Sequence, residues 1–450
     1  VRIKLNLLNC LKWTAVCATF VAATASSEAR YWSLRGACQD SSQNLYSASY
    51  YPTSASLRVT KRNSSMTTTW IKDFAPPSGF KFSSLQRVAV DGSGNVYVAT
   101  TLYNTMSTKS EFEVLKLTSA GALSTSAVFN DGGVIAAAQQ VFLGGLTLDS
   151  SGNVYLVGSY NTPSSGPSVA CVVKYTSALA SPTTRYITTT GTSGYYIYAD
   201  DIVADGSGNI YVSAYAYPSV GTDLTAIVTK YDSTFSSTPS WQQSYKPVST
   251  AVASGEGCLT YNGSSKLTYV GTYADASNSY RTNMFAVQYS TSGTSNWSVT
   301  PSLLDMTAQW SISDSSGDIV VAGTSVGTGY KIAKFNTTTG AVTWSQTFTS
   351  SGASPNSLCQ DASGDYLVVR NSASGTPSSI VDRFTGSSGA FSTSYTYSSG
   401  ASGADYGYMV FPSSTAGTFY VSGVGLQSGT YYPLMYKNGG SAGYSSATTP

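Results

Sequence analysis

An all-β fold is predicted by three observations on the 450-residue sequence. Strand and turn formers dominate: 34 Tyr, 15 Phe and 42 Gly stand among abundant Ser, Thr and Val. Glutamate, a good helix former, occurs only at Glu28, Glu111, Glu113 and Glu256. Apolar and polar residues alternate with the period of a half-buried strand. Finally, one alternating phrase recurs along most of the chain. With 41% hydrophobic and 12% aromatic residues the chain has the means to build a core, which disordered Ser/Gly-rich tracts lack.

The N-terminal segment stands apart. Arg2, Lys4 and Lys12 precede an apolar run of 11 residues over 13–23, too short to span a bilayer, which takes about 20. Small residues follow. Residues 1–25 therefore read as a secretory signal, cleaved after Ala23-Thr24-Ala25 or as late as Ala29, and the mature chain is expected outside the cell, at a cell surface or on a virion. Cys10 and Cys17 would leave with it. Cys38, Cys171, Cys258 and Cys359 remain without CxxC spacing, and buried free thiols are the expectation over one or two disulfides. Asn63, Asn262, Asn296 and Asn336 open N-x-[ST] sequons, which matter only if the host glycosylates.

From residue 30 to 450 the chain reads as one domain of repeats. The phrase is Val88-Ala-Val-Asp91-Gly-Ser-Gly-Asn95-Val-Tyr-Val98. It returns as Leu146-Thr-Leu-Asp149-Ser-Ser-Gly-Asn153-Val-Tyr-Leu156 and as Ile202-Val-Ala-Asp205-Gly-Ser-Gly-Asn209-Ile-Tyr-Val212. Looser copies centre on Asp40, Asn262, Asp314, Asp361 and Pro412. In the clear copies Asp opens a turn and Gly supplies the positive φ of a tight hairpin between two strands. A third strand ends in apolar-Lys-aromatic, as at Lys174-Tyr175 and Lys334-Phe335. A fourth carries an aromatic start at Trp70, Trp241 and Trp344. Units of this size have too little core to fold alone, and no linker separates them. Stacked into a closed ring they bury both sheet faces. The predicted architecture is a single β-propeller of four-stranded antiparallel blades, eight by the count of anchors. Seven would follow if the degenerate first and last copies merged, with closure borrowing residues near Trp32.

The phrase Asp-Gly-Ser-Gly-Asn-Val-Tyr-Val, with the later Lys-aromatic and Trp strands, resembles the SBBP family of β-propeller repeats. The resemblance covers most of residues 36–440 and is clearest at Asp91, Asp149, Asp205 and Asp314. It implies a propeller of the kind found in secreted bacterial proteins and some phage structural proteins. It carries over no catalytic residue.

Charge and composition exclude several chemistries. Charged residues make up 10% of the chain, 24 Lys+Arg face 22 Asp+Glu, and there is no histidine. That leaves no basic surface for nucleic acid, no Ser-His-Asp triad and no histidine-ligated zinc. The anchor Asp-x-Ser-x-Asn lacks the sixth-position Gly and twelfth-position Glu of an EF-hand, so a turn-stabilising Asp is expected and no metal. The segment Thr339-Gly340-Ala-Val-Thr-Trp344 resembles the docking motif of quinoprotein propellers, and a structural, blade-to-blade Trp is expected there. No copy carries the Asp box of sialidases. Paired carboxylates could still work without histidine. Asp200, Asp201, Glu256 and Asp305 fall just before predicted first strands, near the mouth of a central channel, but adjacent Asp200 and Asp201 would point apart in an extended chain.

Tyrosine gives the other signal, as Tyr196, Tyr198, Tyr215 and Tyr273 gather in the predicted connections of the middle blades. Tyr offers an apolar face and a hydroxyl at small entropic cost. The expected ligand-contacting set is thus Tyr196, Tyr198, Asp200, Asp201, Tyr215, Glu256, Tyr273 and Asp305. The sequence points to a non-catalytic binding or structural module with a glycan or protein partner. No cofactor and no stable membrane insertion after signal cleavage are expected, and a homo-oligomer or larger assembly stays open. A carboxylate-based lyase or glycosidase, a quinoprotein, and a subunit of a viral tail or surface fibre are the alternatives.

Overall fold

In the computed structural model the repeats become eight antiparallel sheets set in a ring. The structure describes residues 36–438 apart from 52–54, 108, 130–139, 162–167, 190–194, 219–222, 254–256, 279–280, 301–304, 326–328, 350–352, 373–376, 399–403 and 428–429. The signal-like segment, Trp32 and Glu256 therefore lie outside the described residues.

Blade 1 is β1 (Ala37–Gln39), β2 (Leu45–Tyr51), β3 (Ser56–Arg62) and β4 (Thr68–Phe74). Blade 2 is β5 (Phe80–Val90), β6 (Val96–Asn104), β7 (Ser110–Leu117) and β8 (Leu123–Phe129). Blade 3 is β9 (Gln140–Leu148), β10 (Val154–Asn161), β11 (Val169–Tyr175) and β12 (Thr183–Ile187). Blade 4 is β13 (Tyr195–Ala204), β14 (Ile210–Pro218), β15 (Thr225–Tyr231) and β16 (Trp241–Tyr245). In blade 5 the first place is shared by β17 (Ala251–Ala253) and β18 (Cys258–Tyr261), which both pair with β19 (Lys266–Asp275), followed by β20 (Arg281–Ser290) and β21 (Ser295–Val299). Blade 6 is β22 (Met306–Ser313), β23 (Ile319–Ser325), β24 (Gly329–Phe335) and β25 (Val342–Thr349). Blade 7 is β26 (Pro355–Gln360), β27 (Tyr366–Asn371), β28 (Ser379–Phe384) and β29 (Phe391–Tyr397). Blade 8 shows β30 (Asp405–Pro412), β31 (Phe419–Gln427) and β32 (Thr430–Lys437), three strands among the described residues. The expected eight blades are thus observed.

Six of the eight anchor turns are held by their own aspartate, and Asn262 Oδ1 takes that place in blade 5. Asp91 Oδ1 accepts the Ser93 and Asn95 backbone N–H groups, and its Oδ2 accepts Asn95 Nδ2 at 2.8 Å and the Tyr97 hydroxyl at 3.3 Å. Gly94 takes φ +78°. The same set recurs at Asp149 and Asp205 and, with Gln43 at φ 61° replacing Gly, at Asp40. Burial pushes the Asp91 carboxyl up, but the hydrogen bonds from Asn95, Ser93 and Tyr97 outweigh it, and its pKa ends below the ordinary value. These acids are turn parts.

The third-strand lysines and fourth-strand tryptophans join the blades. Lys116, Lys174 and Lys230 lie over the rings of Tyr97, Tyr155 and Tyr211, and donate to the next blade's carbonyls at Ser177, Ser233 and Thr291. Trp70, Trp241 and Trp297 donate Nε1–H to the Ser119, Thr291 and Thr337 carbonyls, again one blade on. Four Trp rings cover a left-handed Gly in the next blade's outer turn: Trp70 on Gly121, Trp241 on Gly293, Trp297 on Gly340 and Trp344 on Gly389. Spacing within one copy singles out Gly340-to-Trp344, whereas the ring docks each Trp one blade ahead. Where the preceding outer strand has Thr instead (Thr125 or Thr183), the turn residue itself is bulky, Leu179 or Phe235 at φ 56° and 57°. Size is thus traded across the interface.

Gly340 has φ +70°, and a Cβ there would meet Trp297 Cδ2 at 2.7 Å. Gly340→Ala is therefore expected to cost at least about 1–2 kcal/mol by urea denaturation. Gly206→Ala, where a Cβ meets nothing within 4 Å, is the matched control and should change stability little.

The first strands of successive blades lie against one another and form the inner wall of the ring. Most carry a β-bulge at the same level, between Leu143 and Gly145, Ala199 and Asp201, Ala308 and Trp310, Pro355 and Ser357, and Gly407 and Met409. Beside the bulges a backbone N–H turns to the preceding blade: Ala199 to Ser159 Oγ, Ala308 to Thr272 Oγ1 and Gly407 to Asn371 Oδ1. Apolar clusters fill the spaces between blades. The closing cluster of Ala37, Leu45, Met66, Phe411, Tyr420 and Met435 seals blade 8 to blade 1. The Tyr420 hydroxyl and Lys437 reinforce it through the Ser64 carbonyl. Cys38, Cys171, Cys258 and Cys359 are free thiols, and burial, then Asp361, holds the Cys359 thiol well above its ordinary pKa.

Candidate functional site

The middle blades hold most of the residues singled out by sequence, but in strands. Asp200 and Asp201, expected just before a first strand, lie inside β13 at its bulge. Tyr196 and Tyr198 are in β13, Tyr215 in β14 and Tyr273 in β19, where connections were expected. The strands run past the repeat core because the apolar alternation continues beyond the bulge.

The bulge separates the two neighbouring acids. Asp200 is buried, and its Oδ2 accepts the hydroxyl of Tyr269 in blade 5. Burial and then the Asp200 charge hold the Tyr269 phenol well above its ordinary pKa. Asp201 Oδ1 accepts the N–H of Ile202 at 2.9 Å, and its Oδ2 accepts the N–H of Leu259 in blade 5 at 3.3 Å. Both carboxylates hold blade 4 to blade 5. Tyr273 is part of the core cluster between the same blades, with Leu224, Ala251 and Phe285. Asp305 forms an ion pair with Arg281. Glu256 lies outside the described residues.

What remains is a ladder of four half-buried tyrosines on one face of β13 and β14. Tyr196 opposes Tyr217 and Tyr198 opposes Tyr215 in the strand register. Their ring planes are nearly parallel: 23° and 5.5 Å for Tyr196–Tyr217, 21° and 5.4 Å for Tyr198–Tyr215, 11° and 6.0 Å for Tyr198–Tyr217. Phe142 of blade 3 meets Tyr198 edge-on at 6.3 Å. The Tyr198 hydroxyl is held by Ser168 Oγ at 2.9 Å and donates to Asn161 Oδ1 at 3.3 Å. Burial, then the neighbouring Tyr198, raises the Tyr217 phenol above its ordinary pKa. Beside it Tyr195 donates to Asp223 Oδ2 at 2.7 Å, and Lys246 pairs with Asp223 Oδ1 at 2.6 Å. Tyr217 is not in the expected contact set, and strand register is what brings it into the stack.

No protein-family model matches the chain, and no curated protein matches it. Solved structures do. Quinohemoprotein alcohol dehydrogenase from Comamonas testosteroni matches at 11% identity and TM-score 0.52, over 90% of this chain and 75% of that one. The likeness is one of fold. A puromycin hydrolase matches at 12% identity and TM-score 0.48, over 77% of this chain; the chain spans about half of that protein, 51%. Polysaccharide lyase Uly1 matches at 11% identity and TM-score 0.47, over 89% of each chain.

Within that shared fold the chemistry of the site is hydrogen bonding and aromatic contact. Among the described residues no three His, Cys, Asp or Glu side chains gather to hold a metal ion. Asp200, Asp201 and Asp305 each spend carboxylate oxygens on protein partners.

Proposed function

We propose that the chain is an exported SBBP-type repeat propeller, held outside the cell or on a virion surface, that binds a glycan or protein partner without chemistry. The carrying observation is the ladder of Tyr196, Tyr198, Tyr215 and Tyr217, four near-parallel rings fixed by strand register beside Asn161 and Ser168. Such a surface meets a ligand with phenol edges and hydroxyls that are already ordered, so little side-chain entropy is lost on binding. Carboxylate catalysis would need two acids open to a substrate, and the acids nearest the ladder are engaged by Tyr269, Leu259, Arg281 and Lys246. The ladder carries no charge, so binding should depend weakly on salt.

A glycan and cell-surface binding screen tests this reading. Tyr198→Ala and Tyr217→Ala are each expected to weaken the strongest binding found by about thirtyfold, the ~2 kcal/mol of a truncated aromatic anchor. Tyr103→Ala, an exposed tyrosine on blade 2, is the control. Unchanged binding in both ladder variants would sink the assignment.

A further inference from the structure

In blades 1 to 7 the fourth strand forms the outer rim and, among the described residues, pairs on one side only, with the third strand. A strand edge of this kind offers a row of N–H and C=O groups that only another extended strand can match. Soluble proteins guard such edges with lysine, proline or extreme shortness. Blade 1 has a guard, since β4 carries Lys72 and Asp73. By contrast β8, β16, β21, β25 and β29 contain no charged residue, no proline and no glycine. They are built of Ser, Thr, Val and aromatics, the residues that favour strands. Leu123, Val128, Val342 and Phe391, between 40% and 50% exposed, stand on the same strands.

The longest of these rims is β25, with sequence Val-Thr-Trp-Ser-Gln-Thr-Phe-Thr and alternating exposure along its length. Its bulge lies near the turn, opposite Lys334 and Phe335, and leaves a regular stretch from Trp344 to Thr349. We propose that β25 pairs antiparallel with β25 of a second copy of this chain, joining two rings edge to edge through a two-fold axis. Lack of charge identifies the partner. An antiparallel two-fold pair sets each residue opposite a residue of its own strand, so a charge near the axis would face its own copy, and like charges opposed across strands destabilise. A strand destined for a foreign partner is under no such constraint. The chain as a whole, with a formal charge of +2, adds little repulsion between copies. The joined blades form one continuous sheet across the two molecules. This inference rests on the rim and is independent of the tyrosine ladder.

Sedimentation velocity over a dilution series of the purified chain is the test. The wild-type chain is expected to shift from monomer to dimer with concentration, without weakening at high salt. Ser345→Glu/Thr347→Glu places charges at two exposed positions of the rim and should hold the chain monomeric at the concentration where wild type is half dimer. Thr347 faces Lys331 in the strand register, so glutamate there is compatible with the blade, and an unchanged thermal transition confirms the fold. Ala120→Glu/Ala178→Glu adds the same charge at exposed outer-turn residues of blades 2 and 3 and should associate like wild type. A strictly monomeric wild type, or a rim variant that associates as wild type does, overturns the proposal. Ligand binding by the monomeric rim variant keeps the two readings separate.

Discussion

Asp382→Ala is expected to cost the fold about 3–5 kcal/mol, read as a large drop in the urea midpoint at neutral pH. Asp382 is fully buried on the third strand of blade 7, where it holds four contacts. Arg370 approaches with Nε at 2.5 Å and Nη2 at 3.3 Å, Ser394 Oγ donates at 2.5 Å, and the Tyr330 hydroxyl of blade 6 donates at 2.7 Å. Arg370, itself buried, also lies over the Phe348 ring of blade 6 at 5.0 Å. Removing the carboxylate strands a guanidinium and two hydroxyls where water cannot replace it, and each unsatisfied group carries its full desolvation penalty. Arg370 stands where blade 6 has Gly323 and blade 5 has Gly271, and Asp382 where they have Ala333 and Val287, so the repeat does not require the pair. Hence the double variant Arg370→Met/Asp382→Leu should recover most of the loss, because packed apolar groups substitute for a buried pair at small net cost. A double variant as unstable as Asp382→Ala would show that the carboxylate acts otherwise than through this pair.

The repeat was legible because its signals are local. Asp91, Gly94, Asn95 and Tyr97 act within one hairpin, and their spacing in sequence is their spacing in space. Blade number followed from counting such hairpins. What sequence could not show is anything decided between blades. Asp200 and Asp201 read as a pair of loop acids near a channel, yet the bulge in β13 turns one to Tyr269 and the other to Leu259, about a whole repeat away in sequence. Tyr273 read like Tyr198, with the same residue type in the same composition. One lies in the core and the other on the ladder, because strand parity and blade contact differ. The Trp–Gly docking has the same character, since Trp297 and Gly340 belong to different copies and no within-copy spacing connects them. Arg370 and Asp382, separated by one hairpin, carried no motif at all.

Glu113 gives the second large effect, and its sign is set by burial. The side chain is 3% exposed on β7, faces blade 1 with Leu115 and Leu117, and its Oε2 has no hydrogen-bond partner among the described residues. Thr100, opposite it in the register, has an unpartnered buried hydroxyl as well. With nothing to stabilise the anion, burial pushes the Glu113 carboxyl from 4.5 up to about 7. The folded chain therefore keeps this proton over a range in which the unfolded chain has released it. Stability falls as pH rises through that window, and the contribution is whole below about 4.5 and lost above about 7. The full swing is on the order of 3 kcal/mol. Glu113→Gln keeps the shape and removes the titration. The variant should match wild type near the lower limit and exceed it by that amount above the upper one, in urea denaturation run across the pH range. The turn aspartates pull the other way at low pH, since hydrogen bonds lower Asp40, Asp91, Asp205 and Asp314, but they are common to both proteins and cancel in the difference. A difference between Glu113→Gln and wild type that stays constant with pH would mean the carboxylate has found a counter-charge, and would remove the protonated core acid from this interface.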